Sequence, residues 1–427
     1  MADDDLLGRL AASLPEGYAG LCRLWQVLPQ ARLVGGVVRD LIARRPVADL
    51  DLATPESPER VLDLLRRAGI KVVATGLAHG TVTAVLDGRP YEITTLRRDE
   101  RTDGRHAVVA WTGDWAEDAA RRDFTINAMS CGRDGVLHDY FGGRADLDAG
   151  HVRFVGDAAT RIAEDALRIL RFFRFHARYG RGTPDAPAMA AIVAAATAET
   201  GGLSRLSAER VWSELRRILA GPALVETLRL MDRTGVLARL LPPSEAGQGH
   251  AAGQGHDIPA YDIPALERLL ACGAPPDPVL RLGMLARAPA GDLAARLRLS
   301  RAEAASLAAM RAGPAPDPAS DDDARRRLLA DEPADALVRR SWREQAQRLG
   351  APSPDWDALR ADLLARPRPV FPVAGRDVLA AGAAPGPHVG QILARLRAWW
   401  MAGGCHAGRR DCLACLTRLL AAPPPPS

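Results

Sequence analysis

The sequence predicts an α/β (α+β) head followed by an all-α neck, body and tail, and three observations carry that reading. Residues 31–54 read as strand, glycine turn, helix, strand; residues 71–97 hold three strands of alternating polarity; and from Asp157 onward the chain is mostly helical spacing broken by proline and glycine. At 427 residues the chain exceeds one ordinary core. It is therefore divided into a head over residues 1–150, a helical neck over 151–243, a flexible linker or insertion over 244–264, and a helical body and tail over 265–427.

The head is taken in order. A helical lead-in runs to Pro29, with Leu21, Leu24 and Trp25 on one side. Arg32 to Val34 is an apolar strand, Gly35-Gly36 a turn, and Val37 to Arg44 a helix stopped by Pro46. The next strand carries Asp49 and Asp51. Successive strand side chains point to opposite faces, so the two aspartates share one face while Leu50 and Leu52 enter the core. Paired carboxylates suit a hard divalent cation such as Mg2+. The glycine pair lets backbone amides approach a phosphate at a helix start. Taken alone, two aspartates on an exposed strand are equally well a solvated pair.

Ser57 to Ala68 is a helix capped by Ser57, with Pro58 at its first position and Gly69 after it. The strands KVVAT, TVTAVLD and YEITTLR follow, the last two joined at Gly88-Arg89-Pro90. Glu92 in the third is either a further carboxylate facing the aspartates or a surface residue, and His79 reads as a turn histidine. Residues 97–115, RRDERTDGRHAVVAWTGDW, are polar and predict a mobile loop. In ARRDFTINAM, Asp123 and Asn127 are four apart and share a face if helical. An acceptor and an amide there suit ribose hydroxyls, and Arg121 and Arg122 suit a triphosphate; helix capping by Asp123 is the plainer reading.

These motifs together carry a resemblance. GGVVRD followed by DLDLAT, then RRDFTINA, then EDALR, resemble the ordered motifs of the polymerase-beta-like nucleotidyltransferase superfamily, and in detail those of the class II tRNA nucleotidyltransferases (CCA-adding enzymes) and bacterial poly(A) polymerases. The resemblance implies a template-independent tRNA nucleotidyltransferase using CTP and ATP, with a poly(A) polymerase or A-only adding enzyme as the alternative. It further implies Asp49 and Asp51 as catalytic metal ligands with Glu92, and Mg2+ as the cofactor. Gly35, Gly36, Arg39 and Arg122 would lie at the triphosphate, and Asp123 and Asn127 at the ribose. Asp103, Gly104 and Arg105 correspond to a loop used in changing from C to A addition, and Gly142, Gly143 and Asp146 to a hinge.

The stretch from Asp157 to Tyr179 predicts one helix, with Ile162, Ile169, Leu170 and Phe173 buried and Glu164, Asp165 and Arg168 together elsewhere. An ion pair at helical spacing is the plain reading. Base chemistry offers another. Cytosine and adenine each present an amino donor beside a ring-nitrogen acceptor, which an aspartate acceptor and an arginine donor both satisfy. Uracil and guanine present the opposite order, and each buried mismatch costs about 1–3 kcal/mol. By resemblance, Glu164, Asp165 and Arg168 select the base, with Glu164 orienting the other two. Arg171, Arg174 and Arg178 continue at helical spacing as a basic stripe for RNA or as a solvated face.

Leu206 to Gly221 predicts a helix capped by Ser207, in which Glu209 and Arg210 resemble a bracing motif. SEAGQGHAAGQGHDIPAYDIP reads as linker, with His250 and His256 in its repeated GQGH. The segment around Gly386, Pro387 and Gly390 resembles a tRNA-phosphate contact before a helix. Six cysteines imply reduced thiols; Cys405, His406, Cys412 and Cys415 either ligate zinc or are incidental core residues. The formal net charge is only +4, and Lys71 is the sole lysine, so arginine abundance by itself does not mark a nucleic-acid binder. No apolar run is long enough for a bilayer span and the start, MADDDLLGRLAASL, is acidic. The expectation is a cytoplasmic protein whose partners are tRNA, CTP and ATP, with no membrane and no protein partner evident.

Overall fold

In the computed structural model, residues 5–77, 80–102, 107–198, 202–242 and 260–421 are described. His79, Asp103, Gly104, Arg105, His250, His256 and the proline tail lie outside them. The chain divides into two units, Met1–Pro242 and Pro243–Ser427.

The first unit opens with α1 (Leu6–Ser13) and α2 (Pro15–Val27), then β1 (Arg32–Val34), α3 (Gly36–Ile42), β2 (Asp51–Thr54), α4 (Pro58–Arg67) and the strands β3 (Lys71–Gly76), β4 (Thr81–Leu86) and β5 (Arg89–Thr95). Next come β6 (Arg97–Thr102), β7 (Ala107–Trp111), α5 (Trp115–Ala120), β8 (Met129–Cys131), β9 (Leu137–Asp139) and α6 (Gly143–Ala149). Helices α7 (Ala158–Glu164), α8 (Leu167–Tyr179), α9 (Ala186–Thr197), α10 (Ala208–Ala220), α11 (Leu224–Arg233) and α12 (Val236–Leu240) complete it. The sheet order is β3-β4-β5-β2-β1-β8-β9. Only β2 and β5 pair in parallel among the pairings described in this sheet.

Alternation decides which face is core. Val82, Ala84 and Leu86 of β4 are buried while Thr81, Thr83 and Val85 are not. The β4–β5 connection is Asp87-Gly88, both with positive φ (51° and 79°), the two-residue hairpin turn that suits the strand twist. Strand β5 therefore begins at Arg89, inside the segment expected to be the turn. Helix α4 starts as expected: the Ser57 side chain accepts the Arg60 N–H at 3.3 Å.

Three sequence expectations are corrected. Residues 97–111 are not a loop: β6 and β7 form a separate two-stranded ribbon. Strand β6, RRDERT, is polar throughout and so offers no apolar alternation to read. The helix expected from Asp157 to Tyr179 is two helices, broken at Asp165. Strand β2 begins at Asp51, so Asp49 precedes it.

The second unit runs from α13 (Ile263–Ala271) to α22 (Arg409–Ala421), all helical among the described residues. Cys405, Cys412 and Cys415 are buried in its apolar cluster with Val378, Leu396, Trp400 and Leu416, and burial pushes the Cys405 and Cys412 thiols up. His406 instead bonds Asp323 Oδ1 at 2.8 Å. The thiols and the histidine therefore do not form one ligand set. Among the described residues no helix is long and apolar enough to cross a membrane.

Candidate active site

The acidic part of the site is built by strand register. Asp51 on β2 stands opposite Glu92 on β5, whose neighbour on the other side is Thr83. Register partners share a face, so the two carboxylates point away from buried Leu52 and Ile93. Burial raises the Asp51 carboxyl above its ordinary value, and the charges of Glu92 and Asp49 raise it further, while Arg122 works against them. Crowded carboxylate oxygens with no nitrogen or sulfur donors are a donor set for a hard divalent cation. Asp49 is exposed and precedes the strand, with buried Leu50 between it and Asp51, and its charge reaches the Asp51 carboxyl.

Gly35 caps α3 from the turn before it, and Gly36 is the helix's first residue. Gly35 has φ +68°, a conformation L side chains rarely adopt, which calls for glycine there, and a Cβ would also meet Arg122 Nη1 at 3.0 Å, displacing that guanidinium slightly. Arg122 Nη1 donates to the Asn127 carbonyl at 3.4 Å. Arg39, expected at the triphosphate, lines the same cavity as the glycine pair; it donates to Asn127 Oδ1 and to both Asp40 oxygens (3.2 and 3.0 Å), and it lies 4.5 Å over the Tyr179 ring. Its position is that of a brace for Asn127.

Asp123 and Asn127 do meet, but not on one helix. Helix α5 ends at Ala120 and Thr125–Asn127 is a 3-10 turn. Asn127 Nδ2 and the Phe124 N–H both donate to Asp123 Oδ1 at 2.9 Å, and Arg171 Nε donates to Oδ2 at 2.7 Å. Burial favours the neutral acid, yet Arg171 and these donors hold the Asp123 carboxyl below its ordinary value. Asp123 caps neither α5 nor the 3-10 turn.

The break at Asp165 shapes the remainder. Asp165 is extended (φ −154°, ψ 102°), and its carboxylate accepts the Leu167 N–H at 3.1 Å and Arg210 Nη2 at 2.7 Å. Arg168 donates through Nη1 to Glu164 and to the Arg161 carbonyl (2.8 Å), and through Nη2 to the Arg121 carbonyl (3.3 Å). Among the described residues nothing is bonded to its Nε–H. Glu164 thus orients Arg168, while Arg210 holds Asp165. The three arginines further along do not make a common stripe. Arg171 pairs with Asp123, Arg174 Nε pairs with Glu214 at 2.6 Å, and Arg178 is the exposed one. Buried carboxylates on neighbouring elements drew the first two inward.

Gly35, Gly36, Asp51, Glu92, Arg122, Asp123, Asn127, Asp165, Arg168 and Arg171 all line one cavity of about 690 Å3, whose wall carries seven arginines and four carboxylates. Asp49 and Glu164 are outside its lining. Two buried carboxylates that pair with arginines of the site region escaped the sequence reading. Glu214 is 3% exposed and meets Arg171, Arg174 and Arg217; a glutamate falling between Val211 and Leu215 on the inward stripe was its signal. Asp118, three and four residues before Arg121 and Arg122, pairs with both.

This fold and wall have known counterparts. Residues 31–153 match the family described as "Poly A polymerase head domain". The head of this chain carries that domain. Behind the head domain, residues 188–246 match a second family, described as "Probable RNA and SrmB- binding site of polymerase A". A relative from Danio rerio, CCA tRNA nucleotidyltransferase 1, mitochondrial, is 42% identical over 227 residues, 52% of this chain and 51% of the relative. The CCA-adding enzyme of Geobacillus thermodenitrificans is 37% identical over 221 residues, 51% of this chain and 52% of the relative. The matched stretch thus spans about half the length of these curated relatives. The structure of the Bacillus stearothermophilus CCA-adding enzyme in complex with CTP aligns with a TM-score of 0.71 at 26% identity, covering 94% of this chain and 98% of that one.

Proposed function

We propose that the protein is a tRNA nucleotidyltransferase that adds or repairs the 3'-terminal CCA of tRNA from CTP and ATP. One observation carries the reading: the Asp51–Glu92 carboxylates and the Asp165–Arg168 acceptor–donor pair line the same cavity. The similar Bacillus stearothermophilus protein was solved with CTP, which fits a nucleotide in that space.

In the proposed reaction the RNA 3'-hydroxyl oxygen attacks the α-phosphorus of the nucleotide. The bond to the bridging oxygen breaks, pyrophosphate departs, and the hydroxyl proton passes to solvent. Asp51 and Glu92, with Asp49, would hold a divalent cation, Mg2+ in this proposal, which would supply positive charge to the attacking and leaving oxygens. The Gly35-Gly36 turn and Arg122 take the phosphates, with Arg39 holding Asn127 in place. Asp123 and Asn127 meet the ribose hydroxyls. Asp165 accepts from the amino group of C or A and Arg168 donates to the ring nitrogen; U and G would set acceptor against acceptor and donor against donor. Of the arginines first considered for RNA, Arg178 is the one we keep.

The test uses tRNAs ending before CCA, after C and after CC, each offered one nucleotide at a time with Mg2+. Sequential C, C and A addition supports the proposal; indifference to CTP overturns it, and incorporation of ATP alone marks an A-adding enzyme. We place the protein in the cytoplasm, which cell fractionation checks, since the Danio rerio relative is named as mitochondrial.

A further inference from the structure

We propose that Asp118 is a positioning residue which, through one buried carboxylate, sets both the phosphate-side and the base-side arginines of the cavity. The inference rests on the nucleotidyltransferase reading above and deepens it.

Asp118 sits in α5, 3% exposed, and is not part of the cavity wall. Its Oδ1 accepts from Arg121 Nε at 2.9 Å and from the Arg97 backbone N–H at 3.3 Å, and its Oδ2 accepts from Arg122 Nη2 at 3.2 Å. Each of these partners lines the cavity. Arg122 continues to the Asn127 carbonyl and stands beside the Gly35 turn, where the phosphates are proposed to lie. Arg121 turns its backbone carbonyl to Arg168 Nη2, the base-side donor. The Arg97 N–H ties in the first residue of the β6–β7 ribbon. One carboxylate therefore holds three neighbours, two of them cations that would otherwise be placed only by flexible side chains.

The chemistry suits such a part. A carboxylate with two oxygens can accept from both guanidinium groups at once, which a neutral amide cannot. Burial alone would favour its neutral form, but Arg121 and Arg122 hold it below its ordinary value, so the clamp stays charged throughout the neutral range. Since Arg168 is read here as choosing C or A by where its N–H groups point, a shift of the Arg121 carbonyl alters that choice without touching Arg168 itself.

The experiment compares the full-length protein with Asp118→Asn and Asp118→Glu, measuring steady-state CTP addition, UTP misincorporation on the same tRNA, and thermal melting. For Asp118→Asn we expect KM for CTP to rise about tenfold or more and preference for CTP over UTP to fall about tenfold, as unpaired buried partners would give. The effect on kcat should be smaller, and Asp118→Glu should recover part of both. Arg121→Met is the second variant, needed if Asp118→Asn does not fold: it should lower base preference while leaving Asp118 paired with Arg122. Unchanged KM and unchanged preference in a folded Asp118→Asn, or in Arg121→Met if that is the variant that folds, overturn the inference even if melting drops. Failure of the wild-type chain to add CTP at all overturns the function reading instead, so the two failures are distinct.

Discussion

The two sides of the cavity are built by different means. Asp51 and Glu92 are placed by backbone: two parallel strands in register put the carboxylates on one face, with Leu52 and Ile93 anchoring the other. Asp165 and Arg168 are placed by side chains: a helix stops, and Arg210, Glu164 and the Arg121 carbonyl hold the two residues around the gap. A ladder of strand hydrogen bonds gives one rigid geometry, whereas a set of ion pairs can be rearranged at a smaller cost. In the proposed reaction, the chemistry common to every addition sits on the first, and the choice among bases on the second.

The largest effect should come from the sheet side. Asp51→Ala is expected to lower CTP incorporation by about three orders of magnitude or more, since charge stabilisation of several kcal/mol is lost. Its melting temperature should hold or rise slightly, because a crowded carboxylate is removed. A folded Asp51→Ala with near-normal turnover would break the comparison. Next is Glu214→Gln, which leaves Arg174 without its buried carboxylate while Arg171 keeps Asp123, and should cost about 3–5 kcal/mol in urea unfolding. Loss of stability without loss of base choice there would mean that the helix side is a scaffold only. Asp165→Asn should keep most turnover with CTP but raise UTP incorporation relative to CTP about tenfold, since an amide offers a donor where the carboxylate offered none. Single-nucleotide addition assays read both ratios.

The smallest effect concerns pH. Asp51 must be ionised to hold a cation, and its folded-state carboxyl lies above the ordinary value. Activity should therefore fall, as pH drops, earlier than an ordinary carboxylate would dictate. Asp49→Asn removes one of the charges raising Asp51 and should move that acid limb to lower pH. The stability sign is the reverse: a raised carboxyl favours the fold while protonated, and that contribution is lost as pH rises through its folded value. An acid limb unmoved in Asp49→Asn would show that this aspartate does not couple to Asp51.

The same contrast explains what the sequence could disclose. The strand–glycine–helix–strand run and the burial of Leu50 and Leu52 follow from local periodicity, so the head was legible, down to the neighbourhood of Asp51 and Glu92. The break at Asp165 was not. EDALR contains no proline or glycine, and the break joins a local contact, the Asp165 carboxylate accepting the Leu167 N–H, to a tertiary one, its pairing with Arg210, 45 residues away. Arg171 and Arg174 read as an outward stripe for the same reason, since their partners Asp123 and Glu214 lie 48 and 40 residues away in sequence. Helical spacing places a side chain around an axis but does not say what waits opposite.

The extended backbone at Asp165 has a consequence for how such a protein can change. Acceptor and donor belong to separate helical rods, so the angle between α7 and α8 is itself a variable of recognition. Substitutions that bend this joint, remote from any nucleotide, could retune preference while every group touching the base stays the same.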